Sequence, residues 1–404
     1  MKKIISILLA AVFIVSALPV AASEPTVSTE YYSDDLYTPL AESTEAVALI
    51  DGSLDINAKS CVLIEPDTHT VLYESNPSEQ LAPASITKIM SLLLIMEAID
   101  SGKLTTETMI TASEHACSMG GSQIWLEPGE TMTLNDMLKA IVIASANDAT
   151  VAVGETIAGS EEGFVAMMNK RAEELGMTGT HFVNCTGLDA EGHLTTAYDV
   201  ALMSCELVKH ELITQYSTVW MDTLRGGESS LVNTNKLVRF YNGCIGLKTG
   251  TTSQAGSCLS AAAQRDGMTL IAVVMGGADS NSRFDGARKM LDFGFANYGV
   301  SKIEAELEED LTVAVKKGER KKIKCRADGM LSALTSKGSP EITRTVKLPD
   351  EISAPVNKGD VIGKVHVSVD GEELGTIDIT ADESIKKVNL LMVYGWLLRG
   401  LVQF

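Results

Sequence analysis

The sequence predicts an α+β fold, in which helices pack on an antiparallel sheet, followed by a small all-β domain and a C-terminal amphipathic helix. Three observations support this prediction. Strand-like segments stand at both ends of residues 56–300, with a helical middle between them. Short alternating runs separated by turn signals dominate residues 301–383. Residues 384–404 end the chain with an uncharged stretch flanked by basic residues.

The elements of the first domain follow from periodicity and from the residues that interrupt it. Residues 60–73 alternate loosely around Pro66-Asp67, which indicates a hairpin. Strand signals return between residues 242 and 275. Apolar residues at helical spacing, bounded by capping residues or glycine, predict helices over 85–99, 133–143, 154–175, 195–208 and 283–298.

Composition limits the classes of partner. The chain has 404 residues, is 45% hydrophobic and carries a formal net charge of −20. This length suffices for two domains, each with its own core. The excess of acid argues against nucleic acid as a partner, because phosphate binding needs a surplus of lysine and arginine. It also argues against simple electrostatic docking on anionic lipid.

The N-terminus has the features of an export signal. Residues 1–22 begin with Met1-Lys2-Lys3, continue without charge and end in small residues, as a secretory signal peptide does. We expect cleavage after Ala22, with an uncleaved membrane anchor as the alternative. Residues 23–55 contain acidic residues but no lysine or arginine, which predicts a poorly ordered acidic leader.

The C-terminal segment, residues 384–404, is locally basic. Its uncharged part, residues 388–398, is shorter than the roughly 20 residues that a membrane span needs. We therefore expect a helix that lies in the membrane interface and holds an exported protein on the outer face of the cytoplasmic membrane. The alternative is a helix docked on the protein itself. The side chains that suit the interfacial position are Lys386, Lys387, Tyr394, Trp396 and Arg399.

The first motif with chemical content is Ser85-Ile86-Thr87-Lys88. Serine and lysine at positions i and i+3 lie on one helical face, so the amine can reach the hydroxyl. A lysine made neutral by burial and a neighbouring cation can accept the hydroxyl proton. Alone, this pattern is more often a capping serine followed by a surface lysine.

Two further motifs change that judgement. Ser145-Ala146-Asn147 follows an apolar helix, and Lys248-Thr249-Gly250-Thr251 begins a predicted strand. In the strand, glycine lets a substrate approach the backbone, while the ammonium and hydroxyl groups suit a carboxylate. Each triplet is a weak signal alone, whereas all three in this order are a strong one.

These motifs resemble those of low-molecular-weight penicillin-binding proteins, which are serine-type D-alanyl-D-alanine carboxypeptidases. The resemblance covers roughly residues 60–298 and includes segments 81–90, 121–126, 175–182 and 246–252. It implies a penicillin-binding/β-lactamase-like transpeptidase domain over 56–300. It also implies removal of the terminal D-alanine from the peptidoglycan pentapeptide stem, inhibition by β-lactam antibiotics, and no metal or organic cofactor.

The resemblance also implies roles for the first two motifs. Ser85 is expected to be the nucleophile that forms an acyl-enzyme, and Lys88 the general base. Ser145 is expected to relay a proton to the leaving D-alanine amine. Asn147 is expected to bind a substrate amide or to orient Lys88. For Ser145 and Asn147, the alternative is capping of a helix end.

The third motif is expected to bind the substrate. Lys248 would help to keep Lys88 neutral and attract the terminal carboxylate, and Thr249 would bind that carboxylate. Gly250 would allow close approach, and the backbone N–H groups of Ser85 and Thr251 would form the oxyanion hole. Arg283 is expected near the carboxylate; the alternative is a surface arginine at the start of a helix.

Departures from related families keep other functions open. No E-x-x-L-N pattern occurs between Asn147 and Lys248, where class A β-lactamases carry the glutamate that activates the deacylating water. A peptidase trapped by penicillin is therefore favoured over a serine β-lactamase, which remains an alternative. A catalytically idle wall-binding scaffold is another. The histidines show no H-E-x-x-H spacing, which disfavours a zinc peptidase.

The seven cysteines show no C-x-x-C spacing, and their odd number cannot pair completely. Export normally favours disulfides. We nevertheless expect mostly buried free thiols, because a chain of this size can be stable without cross-links, and one disulfide remains an alternative.

Overall fold

The computed structural model describes residues 54–306, 311–338 and 340–395. The helices, numbered in chain order, are α1 (Lys88–Asp100), α2 (Glu114–Cys117), α3 (Leu134–Ile143), α4 (Asn147–Ala158), α5 (Glu161–Glu174), α6 (Ala197–Val208), α7 (Glu211–Ser217), α8 (Leu237–Phe240) and α9 (Ser280–Asn297). The strands are β1 (Ser60–Glu65), β2 (Thr70–Ser75), β3 (Met109–Thr111), β4 (Thr131–Thr133), β5 (Met221–Leu224), β6 (Ser229–Val232), β7 (Cys244–Thr252), β8 (Gly256–Arg265), β9 (Met268–Gly277), β10 (Tyr298–Glu304), β11 (Thr312–Lys316), β12 (Lys322–Ala327), β13 (Met330–Ser336), β14 (Ile342–Lys347), β15 (Glu351–Ser353), β16 (Val361–Val369) and β17 (Glu372–Ala381).

The first domain is built on a five-stranded antiparallel sheet with spatial order β2-β1-β9-β8-β7. All six residues of β1 are buried because both faces of the sheet are covered. Val62 and Ile64 belong to the core shared with the helical region, whereas Cys61 and Leu63 belong to the core under α9. The expected helices on an antiparallel sheet are therefore confirmed.

Helix α1 runs through the centre of the helical region. Its residues from Lys88 to Met96 are all buried, so it is enclosed on every side. The predicted helix over 154–175 is in fact two helices, α4 and α5. Gly159 adopts a left-handed conformation that ends α4, and the Ser160 hydroxyl accepts a hydrogen bond from the Gly163 N–H to begin α5.

The chain passes directly from α9 into strand β10, which pairs with β13. The remaining strands of the C-terminal part form a six-stranded sheet with spatial order β14-β16-β17-β12-β11-β15. All its pairs are antiparallel except β11 with β15. The expected all-β architecture after the first domain is confirmed.

The prediction that residues 384–404 form one helix is wrong at its start. Ile385 is 1% exposed and exchanges backbone hydrogen bonds with Val356, so it completes a core of the β domain. Helical structure occupies residues 390–395, and residues 396–404 lie outside the described chain. Within the described part, no helix combines the length and apolarity that crossing a bilayer requires.

The predicted signal peptide over 1–22 lies outside the described residues, as does the predicted leader up to residue 53. Leu54, near the end of that leader, is buried in the core under α9. The seven cysteines, all within the described chain, are free thiols, and four of them are buried.

Candidate active site

Ser85 lies in a tight 3-10 turn, Ala84–Thr87, that continues into α1 at Lys88. The turn places the Lys88 Nζ 3.1 Å from the Ser85 Oγ, so the predicted pair is in hydrogen-bond contact. Ala84, just before the serine, has a φ of 49°, in the left-handed region that non-glycine residues rarely adopt. Tertiary packing therefore fixes the backbone at the proposed nucleophile.

The Lys88 ammonium group is fully buried and has three hydrogen-bond acceptors. Besides Ser85, these are the Asn147 Oδ1 at 2.5 Å and the Thr186 backbone carbonyl at 2.7 Å. Three acceptors match the three donors of an ammonium group. Burial nevertheless lowers the pKa of Lys88 to about 7, because water no longer solvates its charge. A substantial fraction of Lys88 is therefore neutral near pH 7 and able to accept a proton.

Asn147 begins α4, where the chain turns sharply after α3. Its backbone N–H donates to the Ser122 carbonyl at 2.7 Å, and its Nδ2 donates to the Gly120 carbonyl at 2.6 Å. These bonds orient the amide so that its oxygen faces Lys88. Ser145 lies two residues earlier, 4% exposed, with a φ of 64°. Among the described residues, its hydroxyl has no hydrogen-bond partner.

The third motif lies on β7, an edge strand of the central sheet that passes directly over the nucleophile turn. A Cβ added at Gly250 would lie 2.7 Å from the Ser85 backbone nitrogen and 3.0 Å from that of Ile86. Only glycine allows this approach. This places β7 against the nucleophile turn, and the oxyanion hole formed by the Ser85 and Thr251 N–H groups stays a prediction.

Lys248 and Thr249 lie on the same strand, both almost fully buried. Burial, followed by the positive charges of Lys88 and Arg283, holds the pKa of Lys248 well below its usual range. The Thr249 hydroxyl donates to the Thr234 hydroxyl at 2.6 Å. The structure therefore joins the third motif to the segment that follows the β5–β6 hairpin.

Arg283, at the start of α9, is placed beneath the strand and is 8% exposed. Its Nη1 donates to the Gly250 carbonyl at 3.0 Å and to the Thr251 hydroxyl at 2.8 Å. This guanidinium group is therefore not the surface arginine of the alternative. It supports β7 from below, and its contact with a substrate carboxylate stays a prediction.

Sequence reasoning missed Thr186 because it binds Lys88 through a backbone carbonyl, which any residue possesses. The loop is shaped by Asn184, whose Oδ1 accepts from the Thr186 and Gly187 N–H groups at 3.2 and 2.7 Å. A Cβ at Gly187 would lie 1.8 Å from the Ala84 carbonyl oxygen. The sequence Asn184-x-x-Gly187 was the available signal.

His193 fixes this loop to the nucleophile turn at Thr87. Its Nδ1 accepts from the Val183 N–H at 2.9 Å, so its Nε2 carries the proton and donates to the Thr87 hydroxyl, also at 2.9 Å. Burial lowers the pKa of His193 to about 4, which keeps the ring neutral at ordinary pH.

The described residues contain no group of three or more His, Cys, Asp or Glu side chains that could hold a metal ion.

Comparison with known proteins identifies the family of this chain. The model of the D-alanyl-D-alanine carboxypeptidase family Peptidase_S11 matches residues 44–279. This chain belongs to that family. Residues 330–387 match the C-terminal domain of penicillin-binding protein 5.

Individual relatives support the same assignment. The D-alanyl-D-alanine carboxypeptidase DacF of Bacillus subtilis (strain 168) is 48% identical over 339 residues, covering 83% of this chain and 87% of the relative. Penicillin binding protein 5 from Haemophilus influenzae aligns in structure with a TM-score of 0.68 and 28% identity, over 83% of this chain and 99% of the other. The protein is a serine-type D-alanyl-D-alanine carboxypeptidase with a penicillin-binding-protein fold.

Gly250→Ala tests the close approach of β7 to the nucleophile turn. The added methyl group would overlap the Ser85 backbone, so the strand must move away from the nucleophile. We expect D-alanine release to fall about 100-fold, the order of loss that a small misplacement causes. The rate of D-alanine release by the purified variant is the measurement, and circular dichroism verifies that the variant is folded.

Gly299→Ala is the matched control, because a Cβ there meets only ordinary contacts with Lys337. We expect its activity to match that of the unmodified enzyme. A folded Gly250→Ala enzyme with full activity would contradict the predicted geometry.

Proposed function

We propose that this carboxypeptidase removes the terminal D-alanine of a peptidoglycan pentapeptide stem in two acyl-transfer steps through Ser85. The proposal rests on Lys88, which is fully buried with its Nζ 3.1 Å from the Ser85 hydroxyl. Burial lowers the pKa of Lys88 to about 7. A base with this pKa is well matched to proton transfer near neutral pH.

In the first step, the Ser85 Oγ attacks the carbonyl carbon of the penultimate D-alanine, and neutral Lys88 takes the hydroxyl proton. The oxyanion is stabilised by the backbone N–H groups of Ser85 and Thr251. Ser145 relays this proton from Lys88 to the amine of the departing D-alanine as the peptide C–N bond breaks, so Lys88 is neutral again. In the second step, water attacks the ester carbonyl carbon on Ser85 and Lys88 accepts a proton from that water. Lys88 then returns the proton to the Ser85 Oγ as the ester C–O bond breaks and the shortened peptide leaves as a carboxylate.

The substrate carboxylate is bound on β7 in this proposal. Burial lowers the pKa of Lys248, but a bound carboxylate favours its charged form, so Lys248 supplies positive charge once the substrate is bound. The Thr249 hydroxyl supplies a hydrogen bond. Together with Lys88 and Arg283, Lys248 forms a cluster of basic groups in a chain of net charge −20. Because the chain as a whole is acidic, it can attract the anionic end of a substrate only where basic groups are concentrated locally, as they are here.

The same nucleophile is proposed to react with β-lactams. Penicillin-Binding Protein D2 from Listeria monocytogenes, solved in an ampicillin-bound form, aligns with 29% identity and a TM-score of 0.55 over 60% of this chain and 99% of the other. In a β-lactam, the leaving amine stays attached to the acyl group and obstructs water. We expect a lasting adduct, since the glutamate motif of class A β-lactamases is absent from the sequence between Asn147 and Lys248.

Incubation with labelled penicillin tests the acyl-enzyme. We expect one stable label on Ser85, and we expect Ser85→Ala to lose both the label and D-alanine release. Mass spectrometry of the labelled peptide locates the adduct. Rapid release of the label would favour the β-lactamase alternative, and the absence of labelling would favour the idle scaffold.

The pH dependence tests Lys88 as the base. Because the neutral amine is the active form and its pKa is about 7, kcat/KM should fall as pH decreases below 7. Well below that pKa, the loss should approach about tenfold per pH unit. Lys88→Arg should remove activity at every pH, whereas Lys170→Ala, at an exposed lysine, should keep the profile. A flat profile between pH 5 and 8 would exclude this assignment.

Export and peripheral membrane attachment are proposed from both ends of the chain. Residues 1–22 have the pattern of a signal peptide. In the described part of the C-terminal helix, Leu390 is 88% exposed, Leu391 82% and Tyr394 64%. An exposed apolar helix preceded by two lysines suits the interface of a membrane.

Truncation after Asn389 tests this attachment and spares Ile385 in the β-domain core. We expect the mature protein to float with anionic phospholipid vesicles and the truncated protein to remain unbound, with D-alanine release from soluble peptide unchanged. Val361→Asp, at an exposed apolar residue of the β domain, is the control that should still float. Equal flotation of full-length and truncated protein would reject the anchor.

A further inference from the structure

The indole of Trp125 is a large apolar group that the fold presents to solvent. Its residue is 66% exposed and has a φ of 58°, in the left-handed region. Both features cost free energy, since a bulky residue is disfavoured at positive φ and an exposed indole leaves its apolar surface in water. Strained backbone persists where the surrounding structure over-determines it, and such positions concentrate at functional sites.

Asp148 holds this segment from one side. The buried carboxylate of Asp148 accepts hydrogen bonds from the backbone N–H groups of Ile124 and Leu126, each at 3.1 Å. These two N–H groups flank Trp125. Asp148 therefore supports the backbone of this segment.

Arg225 holds the segment from the other side. It donates to the Ile124 carbonyl at 2.9 Å and to the Trp125 carbonyl at 3.4 Å. Its guanidinium is fixed by a two-point ion pair with Glu130, at 2.8 and 3.1 Å. The backbone of Trp125 is therefore held rigidly, although its side chain is exposed.

The same segment forms part of the proposed catalytic site. The carbonyls of Gly120 and Ser122 bind Asn147, which binds Lys88. A Cβ at Gly121 would lie 2.8 Å from the Asn147 Nδ2 and 3.6 Å from a methyl group of Leu188. Residues 120–122 thus contact Asn147 directly, and Trp125 follows three residues later on a segment that Asp148, the neighbour of Asn147, holds in place. The groups proposed to bind the carboxylate lie on β7.

We propose that Trp125 is a specificity-determining residue that contacts the side chain of the substrate residue preceding D-alanyl-D-alanine. This inference rests on the proposed function. The departing D-alanine lies toward β7, so the acyl part of the peptide must leave the nucleophile on the side of Asn147. In this arrangement, the acyl part of the peptide contacts the segment 120–126, which presents the indole of Trp125. A long aliphatic side chain would gain apolar contact with it, and glycine would not.

Two peptides distinguish this role from a structural one: an acylated L-lysyl-D-alanyl-D-alanine and the matching glycyl-D-alanyl-D-alanine. For Trp125→Ala, we expect kcat/KM to fall about tenfold on the lysyl peptide and less than about twofold on the glycyl peptide, the range that loss of an apolar contact causes. Trp125→Phe should restore most of the difference. Arg225→Ala should give a smaller loss with the same preference, because the indole is then held less firmly.

Met221→Ala, at a residue 51% exposed on β5, is the control for the loss of an exposed apolar side chain, and both peptides should react as before. Labelling of Ser85 by penicillin is measured for the unmodified enzyme and for every variant. If the unmodified enzyme is not labelled, the proposed function itself is refuted, independently of the role of Trp125. With labelling intact, equal losses on both peptides would overturn the proposal in favour of a structural role. No loss on either peptide would overturn it as well.

Discussion

The structure depends on one constraint, which is the burial of an amine that must remain partly neutral. Within the described chain, no carboxylate lies at ion-pair distance from Lys88 or Lys248. A direct carboxylate partner would restore the usual pKa of Lys88 and remove the base from the reaction. The neighbours of Lys88 are instead neutral oxygens: a hydroxyl, an amide and a backbone carbonyl.

Satisfying this constraint requires segments that are far apart in sequence to meet at one point. The nucleophile turn precedes α1, Asn147 begins α4, and the Thr186 carbonyl belongs to a loop after α5. Strand β7 closes the arrangement from above. Ala84 and Ser145 adopt left-handed backbone conformations where these segments meet. The large cores on both faces of the central sheet supply the stability that maintains such strain.

Much of this was predictable from sequence because the decisive information is carried by side chains. The spacing of Ser85 and Lys88, and the glycine of the β7 motif, express geometric needs that few other residues meet. The Thr186 carbonyl was not predictable, since the backbone has no residue-specific signature. The start of the C-terminal helix was also missed, because nothing in the local sequence reveals that Ile385, two lysines before the apolar run, belongs to the β-domain core.

The buried basic cluster has a consequence for the evolution of the enzyme. The cluster consists of three basic side chains that are each at most 8% exposed and that repel one another when they are protonated: Lys88, Lys248 and Arg283. Apolar residues of similar volume would fit these positions at a lower desolvation cost. Drift toward greater thermal stability would therefore tend to erase the activity, and only selection for turnover retains the cluster. At these positions, the residues that would stabilise the fold differ from the residues that activity requires.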